Sequence, residues 1–152
     1  MTKTIVYQGE PGANSHIACE SFNQKLKSVA CGTFDQAFNE IINGSNDFGM
    51  IPIENSIAGR VADIHRLMPT SGLKIVGEFF LEIQHTLMGV KSSDLSSLRT
   101  VRSHEMALSQ CRNSIEKLNL ISHVAADTAG SAREVSELND KTIGAIASPL
   151  AA

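Results

Sequence analysis

The chain has 152 residues, 42% of them hydrophobic and 19% charged, with a formal net charge of −3. This length and composition predict one ordinary domain or two small lobes, and the negative charge argues against a nucleic-acid partner. No apolar stretch reaches the roughly 18 residues that cross a membrane, and the N-terminus has no apolar signal core, so we expect a cytoplasmic protein without a membrane partner.

Short strands alternate with helices along the first half of the chain. We predict strands and helices in turn over residues 3–8, 14–22, 28–31, 34–42 and 48–53. Thr33 and Gln36 have the spacing of a capping box at the start of the helix over 34–42. A further helical stripe begins at Val61 and is predicted to stop at Pro69, because proline breaks a helix interior.

The second half begins with a long alternating run. From Ile75 to Leu87 apolar residues recur at every second position, which predicts a half-buried strand that leaves one lobe and enters another. The predicted elements then alternate again as strand and helix, over residues 100–102, 104–118, 120–125, 128–138 and 142–147. Such alternation predicts a largely parallel sheet and two α/β lobes, 1–78 and 79–152, with a cleft between them.

Small polar residues occupy the predicted turns from strand to helix. These turns lie at 9–15, 103–104 and 127–130, and the last includes Thr128 and Ala129. The free N–H groups and the positive dipole end of a helix start suit a carboxylate or a phosphate. Helix capping alone is the more frequent explanation, because Ser, Thr and Asp are the preferred N-caps whatever the function.

Two polar residues border the predicted helix over 104–118. Ser103 and Gln110 are separated by about two helical turns, which places them nearly above one another, roughly 10 Å apart along the axis. They lie at the margin of the apolar stripe, where a helix edge can meet a cleft. The alternative is two polar residues at a solvated margin.

An acid, an amide and a hydroxyl follow one another after the predicted strand over 48–53. Glu54 suits acid–base chemistry or hydrogen-bond acceptance, and Asn55 suits a substrate oxygen, while Gly59 lets the backbone turn. The alternative is an ordinary turn with a helix cap at Ser56.

Patterns typical of metal, nucleotide and hydrolase sites are absent from the sequence. The three cysteines form no C-x-x-C pair and predict reduced thiols, and the five histidines lack H-E-x-x-H spacing. Phosphate-binding glycine loops and the serine-hydrolase elbow are also absent, so we expect no metal site and no nucleotide site.

Several segments together form an ordered series of sequence blocks. They are Tyr7-Gln-Gly-x-x-Gly12-x-x-Ser15, Gly49-Met-Ile-Pro-Ile-Glu-Asn-Ser56-x-x-Gly59-x-Val61, Ser103-His-Glu-Met-Ala-Leu-Ser-Gln-Cys111, Asp127-Thr-Ala-Gly-Ser-Ala132 and Ala145-Ile-Ala-Ser148 with Ala151-Ala152. In order and spacing, these blocks resemble the prephenate dehydratase family over nearly the whole chain. Ser131 is a small departure from the family's pattern.

The resemblance implies a two-lobed α/β fold similar to type 2 periplasmic binding proteins. It implies a lyase that converts prephenate to phenylpyruvate with loss of water and carbon dioxide, in phenylalanine biosynthesis, without a metal or organic cofactor. Prephenate is then the small-molecule partner. The positions that it marks as catalytic are Glu54, Asn55, Ser103 and Gln110. Those that it marks as substrate-binding are Ser56, His104, Thr128 and Ala129.

The resemblance also implies segments that these 152 residues do not contain. In the family, a Y-G-L stretch, a T-R-F motif with a hydroxyl-donating threonine and a regulatory ACT domain follow the last block. We therefore expect a fold incomplete at its C-terminus, with weak or no activity of this chain alone. An uncovered sheet in the first lobe predicts a homo-oligomer. The alternatives are a small-anion binding module on the same fold and an arogenate dehydratase.

Overall fold

The computed structural model describes residues 2–57 and 59–152. The chain divides into two compact units, of which the first ends at Glu82 and the second begins at Ile83. Each unit alternates strands and helices, as the sequence predicts. The division into α/β lobes 1–78 and 79–152 stays a prediction.

The first unit is built on a parallel sheet. Its central strand, β1 (Thr4–Gln8), pairs on one side with β2 (Lys27–Cys31) and on the other with β3 (Phe48–Met50). Two helices connect these strands, α1 (Asn14–Phe22) and α2 (Phe34–Ile42). Because successive strand side chains point to opposite faces, one cluster holds Ile5 and Tyr7 with Cys19 of α1. The opposite cluster holds Val6, Cys31 and Ala37.

The predicted cap of α2 is confirmed. The Thr33 hydroxyl accepts a hydrogen bond from the Gln36 backbone N–H at 3.1 Å. The Gln36 side chain in turn accepts from the Gly32 backbone N–H at 3.0 Å. Two N–H groups at the helix start are thereby satisfied by side chains, in the manner of a capping box.

Two predictions for the rest of the first unit are wrong in part. The strand predicted to run to Ile53 ends at Met50, and a short antiparallel hairpin follows, of β4 (Glu54–Asn55) and β5 (Gly59–Arg60). The helix α3 (Ala62–Ser71) does not stop at Pro69, which lies in its last turn. Pro69 has no N–H to donate to the preceding turn, so the helix loses one hydrogen bond there but continues for two more residues and ends where Gly72 adopts a φ of 71°.

The second unit has a mixed sheet with the strand order β6-β9-β7-β8. Its strands are β6 (Thr86–Met88), β7 (Thr100–Ser103), β8 (Ile121–Val124) and β9 (Ile143–Ala147). The pair β6–β9 is antiparallel, and the other pairs are parallel. The helix α6 (Thr128–Leu138) has its predicted bounds, and its Ala132 and Val135 pack on Ala145 and Ala147 of β9.

The long strand predicted over 75–87 is wrong, because only its end forms β6. Side chains at its start are largely exposed, at 69% for Ile75, 81% for Val76 and 84% for Phe80. Burial does alternate from Leu81 to Leu87, as it would along a half-buried strand. Alternation predicts an extended backbone, but a strand also needs a neighbour, and the described part of the chain pairs none with residues 75–85.

The single helix predicted over 104–118 is also wrong. It is divided into α4 (Glu105–Gln110) and α5 (Arg112–Lys117) at Cys111, whose φ and ψ are −95° and 5°. Apolar spacing does not detect one residue with ψ near zero, because Leu108 and Ile115 still meet in one cluster across the break. At the chain's end a 3₁₀ turn, Pro149–Ala151, follows β9.

Within residues 2–57 and 59–152, every helix is too short or too polar to cross a bilayer.

Candidate functional site

The candidate residues of the first unit lie on the β4–β5 hairpin. Glu54 pairs with Arg60 in this hairpin and its side chain is exposed. The side-chain oxygen of Asn55, Oδ1, accepts from the Ile57 backbone N–H at 2.9 Å, which forms the turn. Ser56 is exposed in the same turn and is not a helix cap, since Val61 is the N-cap residue of α3. The alternative of a cap at Ser56 is therefore wrong.

The glycine turn before α1 has a feature that the sequence did not indicate. Gly12 has a φ of 90° and donates its backbone N–H to His16 Nδ1 at 3.1 Å. The His16 ring stacks on the buried Tyr7 ring, with centroids 5.0 Å apart and planes 10° apart. No side-chain hydrogen bond caps the start of α1, where Ala13 is the N-cap. Capping by a polar side chain is thus not the reason for this turn.

Ser103 occupies the carboxyl end of β7 rather than a helix margin. Its side chain is fully buried, and its hydroxyl donates to the Ile146 carbonyl oxygen of β9 at 2.6 Å. The interpretation as a solvated margin is wrong for Ser103. The predicted stacking of Ser103 and Gln110 along one helix is wrong as well, because α4 begins only at Glu105.

Two other candidate turns of the second unit are helix caps. His104 is exposed, and its Nδ1 accepts from the Met106 backbone N–H at 3.3 Å. Asp127 caps α6 by accepting from the Gly130 backbone N–H at 2.6 Å. The first residues of α6 therefore have fixed positions, with Thr128 half-buried and Ala129 buried.

The departure from the family's pattern at Ser131 has a structural role in the same cap. The Ser131 hydroxyl donates to the Asp127 carbonyl oxygen at 2.6 Å, and its side chain is 1% exposed. A buried polar group of this kind is tolerated because it is hydrogen-bonded.

Gln110, the last residue of α4, forms a side-chain pair with His85. Its Oε1 atom lies 2.9 Å from His85 Nε2, and both residues are half-buried. Gln110 is therefore held by a partner and is not a residue of a solvated margin. His85 was not predicted as a site residue, because its only signal in the sequence is its place on the apolar side of the alternating run.

His85 and Cys111 also border a groove of about 190 Å³ in the second unit. Its other lining residues are Leu87, Ser114, Ile115, Leu118, Leu120 and Ile146. Most of these side chains are apolar, so the groove offers few groups for polar chemistry.

The thiols are poor nucleophiles. Burial raises the pKa of Cys19 to about 12, and the nearby Glu20 carboxylate adds to this shift. Burial also raises the pKa of Cys31 and Cys111 above the usual value. Across residues 2–57 and 59–152, no group of three His, Cys, Asp or Glu side chains is arranged to hold a metal ion.

The sequence was compared with models of known protein families. The model described as prephenate dehydratase matches residues 5–152, which is nearly the whole chain. This chain belongs to the prephenate dehydratase family. The resemblance deduced from the sequence blocks is thereby confirmed.

Relatives of this chain in the family are named for different enzyme activities. A bifunctional N-acyl-homoserine lactone acylase/prephenate dehydratase of Komagataeibacter europaeus is 41% identical over 99% of this chain and 53% of its own length. The chloroplastic arogenate dehydratase/prephenate dehydratase 2 of Arabidopsis thaliana is 36% identical over 97% of this chain and 39% of its own length. The chain thus spans about half or less of the length of these relatives.

Solved structures confirm the α/β fold class. A structure described as GqqA, a novel type of quorum quenching acylase, has a TM-score of 0.92 and 41% identity over 98% of this chain and 55% of its own. The prephenate dehydratase of Arthrobacter aurescens, solved with L-Phe, has a TM-score of 0.77 and 24% identity over 98% of this chain and 51% of its own. The fold is therefore that of the prephenate dehydratases, which is similar to type 2 periplasmic binding proteins.

Proposed function

We propose that this chain carries substrate-binding residues of an enzyme that converts prephenate to phenylpyruvate. The observation that carries the proposal is the half-buried Gln110 amide, whose oxygen is already hydrogen-bonded and whose N–H₂ group is left to donate. Membership of the prephenate dehydratase family supports the same reaction.

The reaction needs hydrogen-bond donors more than it needs a nucleophile. The bond from the ring to its carboxylate breaks, and its electron pair enters the ring as carbon dioxide leaves. The bond from the opposite ring carbon to its hydroxyl then breaks, the ring becomes aromatic, and the oxygen leaves as water after gaining a proton. A donor beside that oxygen stabilises its developing negative charge, and general acid catalysis contributes about 10²–10⁴-fold.

The roles proposed for residues of the second unit depend on which hydrogen-bond donors and acceptors each residue still has available. Gln110 is proposed to donate to a substrate oxygen. Ser103 is fully buried and already donates to Ile146, so it is proposed to hold the end of β7 in position rather than to contact the substrate. Backbone N–H groups at the start of α6, around Thr128 and Ala129, are proposed to face a carboxylate, because they lie at a positive helix end. His104 is proposed to contact substrate through its exposed ring.

Roles in the first unit are proposed separately. Glu54, Asn55 and Ser56 present a carboxylate, an amide and a hydroxyl on one short hairpin. Glu54 is proposed as the acid–base group, since its side chain is exposed and free of the buried core. Asn55 and Ser56 are proposed to position substrate oxygens.

Arogenate is a second candidate substrate. It differs from prephenate by an amine in place of the side-chain ketone, and a relative that is 36% identical is named for both dehydratase activities. A third candidate is cleavage of N-acyl-homoserine lactones, which is named in the relative that is 41% identical. The remaining alternative is a small-anion binding module without turnover.

The experiment compares these ligands on the purified 152-residue chain. Prephenate, arogenate, phenylpyruvate and an N-acyl-homoserine lactone are titrated calorimetrically, and product formation is followed by absorbance and by mass spectrometry. We expect prephenate to bind more tightly than the lactone. Formation of phenylpyruvate would assign the elimination itself to these residues. Failure to bind prephenate, or a preference for arogenate or the lactone, contradicts the proposal.

A further inference from the structure

We infer that His85 is a positioning residue that fixes the orientation of the Gln110 side-chain amide toward a bound substrate. The inference rests on the proposed function of Gln110 as a hydrogen-bond donor. His85 is not among the positions that the family resemblance marks as catalytic or substrate-binding, and the inference gives it a defined role.

The contact itself determines which end of the amide is free. An amide oxygen accepts hydrogen bonds and does not donate them, so the His85 Nε2 atom at 2.9 Å carries the proton and donates it to Gln110 Oε1. With its oxygen engaged, Gln110 presents its N–H₂ group on the other side. A rotated amide would place two N–H donors against the ring N–H, which is repulsive. With the proton on Nε2, His85 favours the amide orientation in which the Gln110 N–H₂ group donates away from the ring.

Regular structure on both sides holds the two residues in place. His85 immediately precedes β6, which pairs with β9 in a register that sets Thr86 opposite Ala147. Gln110 ends α4, directly before the break at Cys111. Leu87 and Cys111 pack against the same hydrophobic cluster, so the neighbouring His85 and Gln110 are brought together from two different elements.

Burial makes the contact effective. Both side chains are half-buried, and His85 also lines the apolar groove that Leu87 and Cys111 border. A hydrogen bond shielded in this way competes less with water, and an unpaired group at the same place is costly. The geometry therefore favours one amide orientation before any substrate arrives, which lowers the entropy lost on binding.

The test measures prephenate binding by calorimetry for a set of variants of the full chain. His85→Leu removes the donor and keeps an apolar side chain, whereas His85→Gln retains an N–H donor near the position of Nε2. Ser114→Ala is the matched control, because Ser114 lines the same groove and its hydroxyl takes no part in the His85–Gln110 bond. Gln110→Ala and the double variant His85→Leu/Gln110→Ala complete a double-mutant cycle.

We expect His85→Leu to weaken prephenate binding roughly fivefold, the equivalent of one net hydrogen bond. His85→Gln and Ser114→Ala should bind as the unchanged chain does. In the double variant, loss of His85 should add nothing to the loss of Gln110. Unchanged binding by His85→Leu beside a weakened Gln110→Ala overturns the inference, and so do effects that multiply in the double variant.

A second readout separates this inference from the proposed function. The side-chain amide resonances of Gln110 are recorded by NMR in the free chain, where no substrate is needed. They should shift in His85→Leu and stay unchanged in Ser114→Ala. If Gln110→Ala leaves prephenate binding intact, the proposed role of Gln110 fails, while the NMR shift still supports the pairing. If the Gln110 resonances do not respond to His85→Leu, the positioning role is overturned whatever the binding shows.

Discussion

The two units hold their candidate residues in opposite ways. In the first unit Glu54 and Ser56 are exposed on a short hairpin, outside the core that the parallel sheet forms. In the second unit Ser103 is buried between two strands and Gln110 is hydrogen-bonded to His85. In the first unit, substitution of a candidate residue should change function with little effect on the free energy of unfolding. In the second unit, substitution of a candidate residue should change both.

The largest effect on stability is expected at the cap of α6. A Cβ atom added at Gly130 would lie 2.6 Å from the Asp127 carboxylate, which would have to leave its capping position. We expect Gly130→Ala to lower the free energy of unfolding by about 2 kcal/mol, through loss of the cap and overpacking. Urea denaturation measures this loss.

The control for Gly130→Ala comes from the first unit. A Cβ at Gly32 would meet its nearest neighbour at 3.6 Å, an ordinary contact, so Gly32→Ala should change the free energy of unfolding by less than about 1 kcal/mol. Equal losses at the two glycines would mean that the Asp127 cap contributes little.

A direct test of the comparison pairs one candidate residue from each unit. Ser103→Ala removes a buried hydrogen bond and should cost about 1–2 kcal/mol of unfolding free energy. Glu54→Gln alters an exposed side chain and should change that free energy by less than about 0.5 kcal/mol, while under the proposed role of Glu54 it should lower phenylpyruvate formation. Circular dichroism monitors the thermal unfolding of both variants and shows whether only Ser103→Ala loses stability. Similar losses of stability would remove the contrast between the units.

The smallest effect concerns the thiols. Cys19 lies in the first unit's core with 1% exposure and a pKa of about 12, whereas Cys111 is half-buried beside the groove of the second unit. The thiolate is the reactive form, so at about pH 8 iodoacetamide should label Cys111 first and Cys19 only after unfolding. Mass spectrometry of timed samples measures this order. If Cys19 were labelled as fast as Cys111, the core of the first unit would have to open readily.

Local signals in the sequence predicted much of this fold. The bounds of α1 and α6 were predicted correctly, and the cap at Thr33 is confirmed. These features depend on residues close together in the chain, so periodicity and capping rules suffice. The wrong predictions concern pairing and single backbone angles. The run over residues 75–85 pairs with no strand of the described chain, and Cys111 interrupts a helix whose apolar stripe is continuous.

The same limit applies to the candidate site. Gln110 was selected through a motif, but its partner His85 is far away in the sequence and carries no motif of its own. The burial of Ser103 likewise depends on a strand formed more than forty residues later, where Ile146 accepts its hydrogen bond. Contacts of this range are properties of the folded sheet and are not encoded in any local spacing.

The most direct measurement of the central claim is a calorimetric titration of prephenate into the unchanged chain and into Gln110→Ala. If Gln110 donates to the substrate, the dissociation constant should rise roughly five- to tenfold in the variant, and because its hydrogen bond with His85 is also lost, the free energy of unfolding should fall by about 1 kcal/mol. Equal affinity of the two proteins for prephenate would contradict the account.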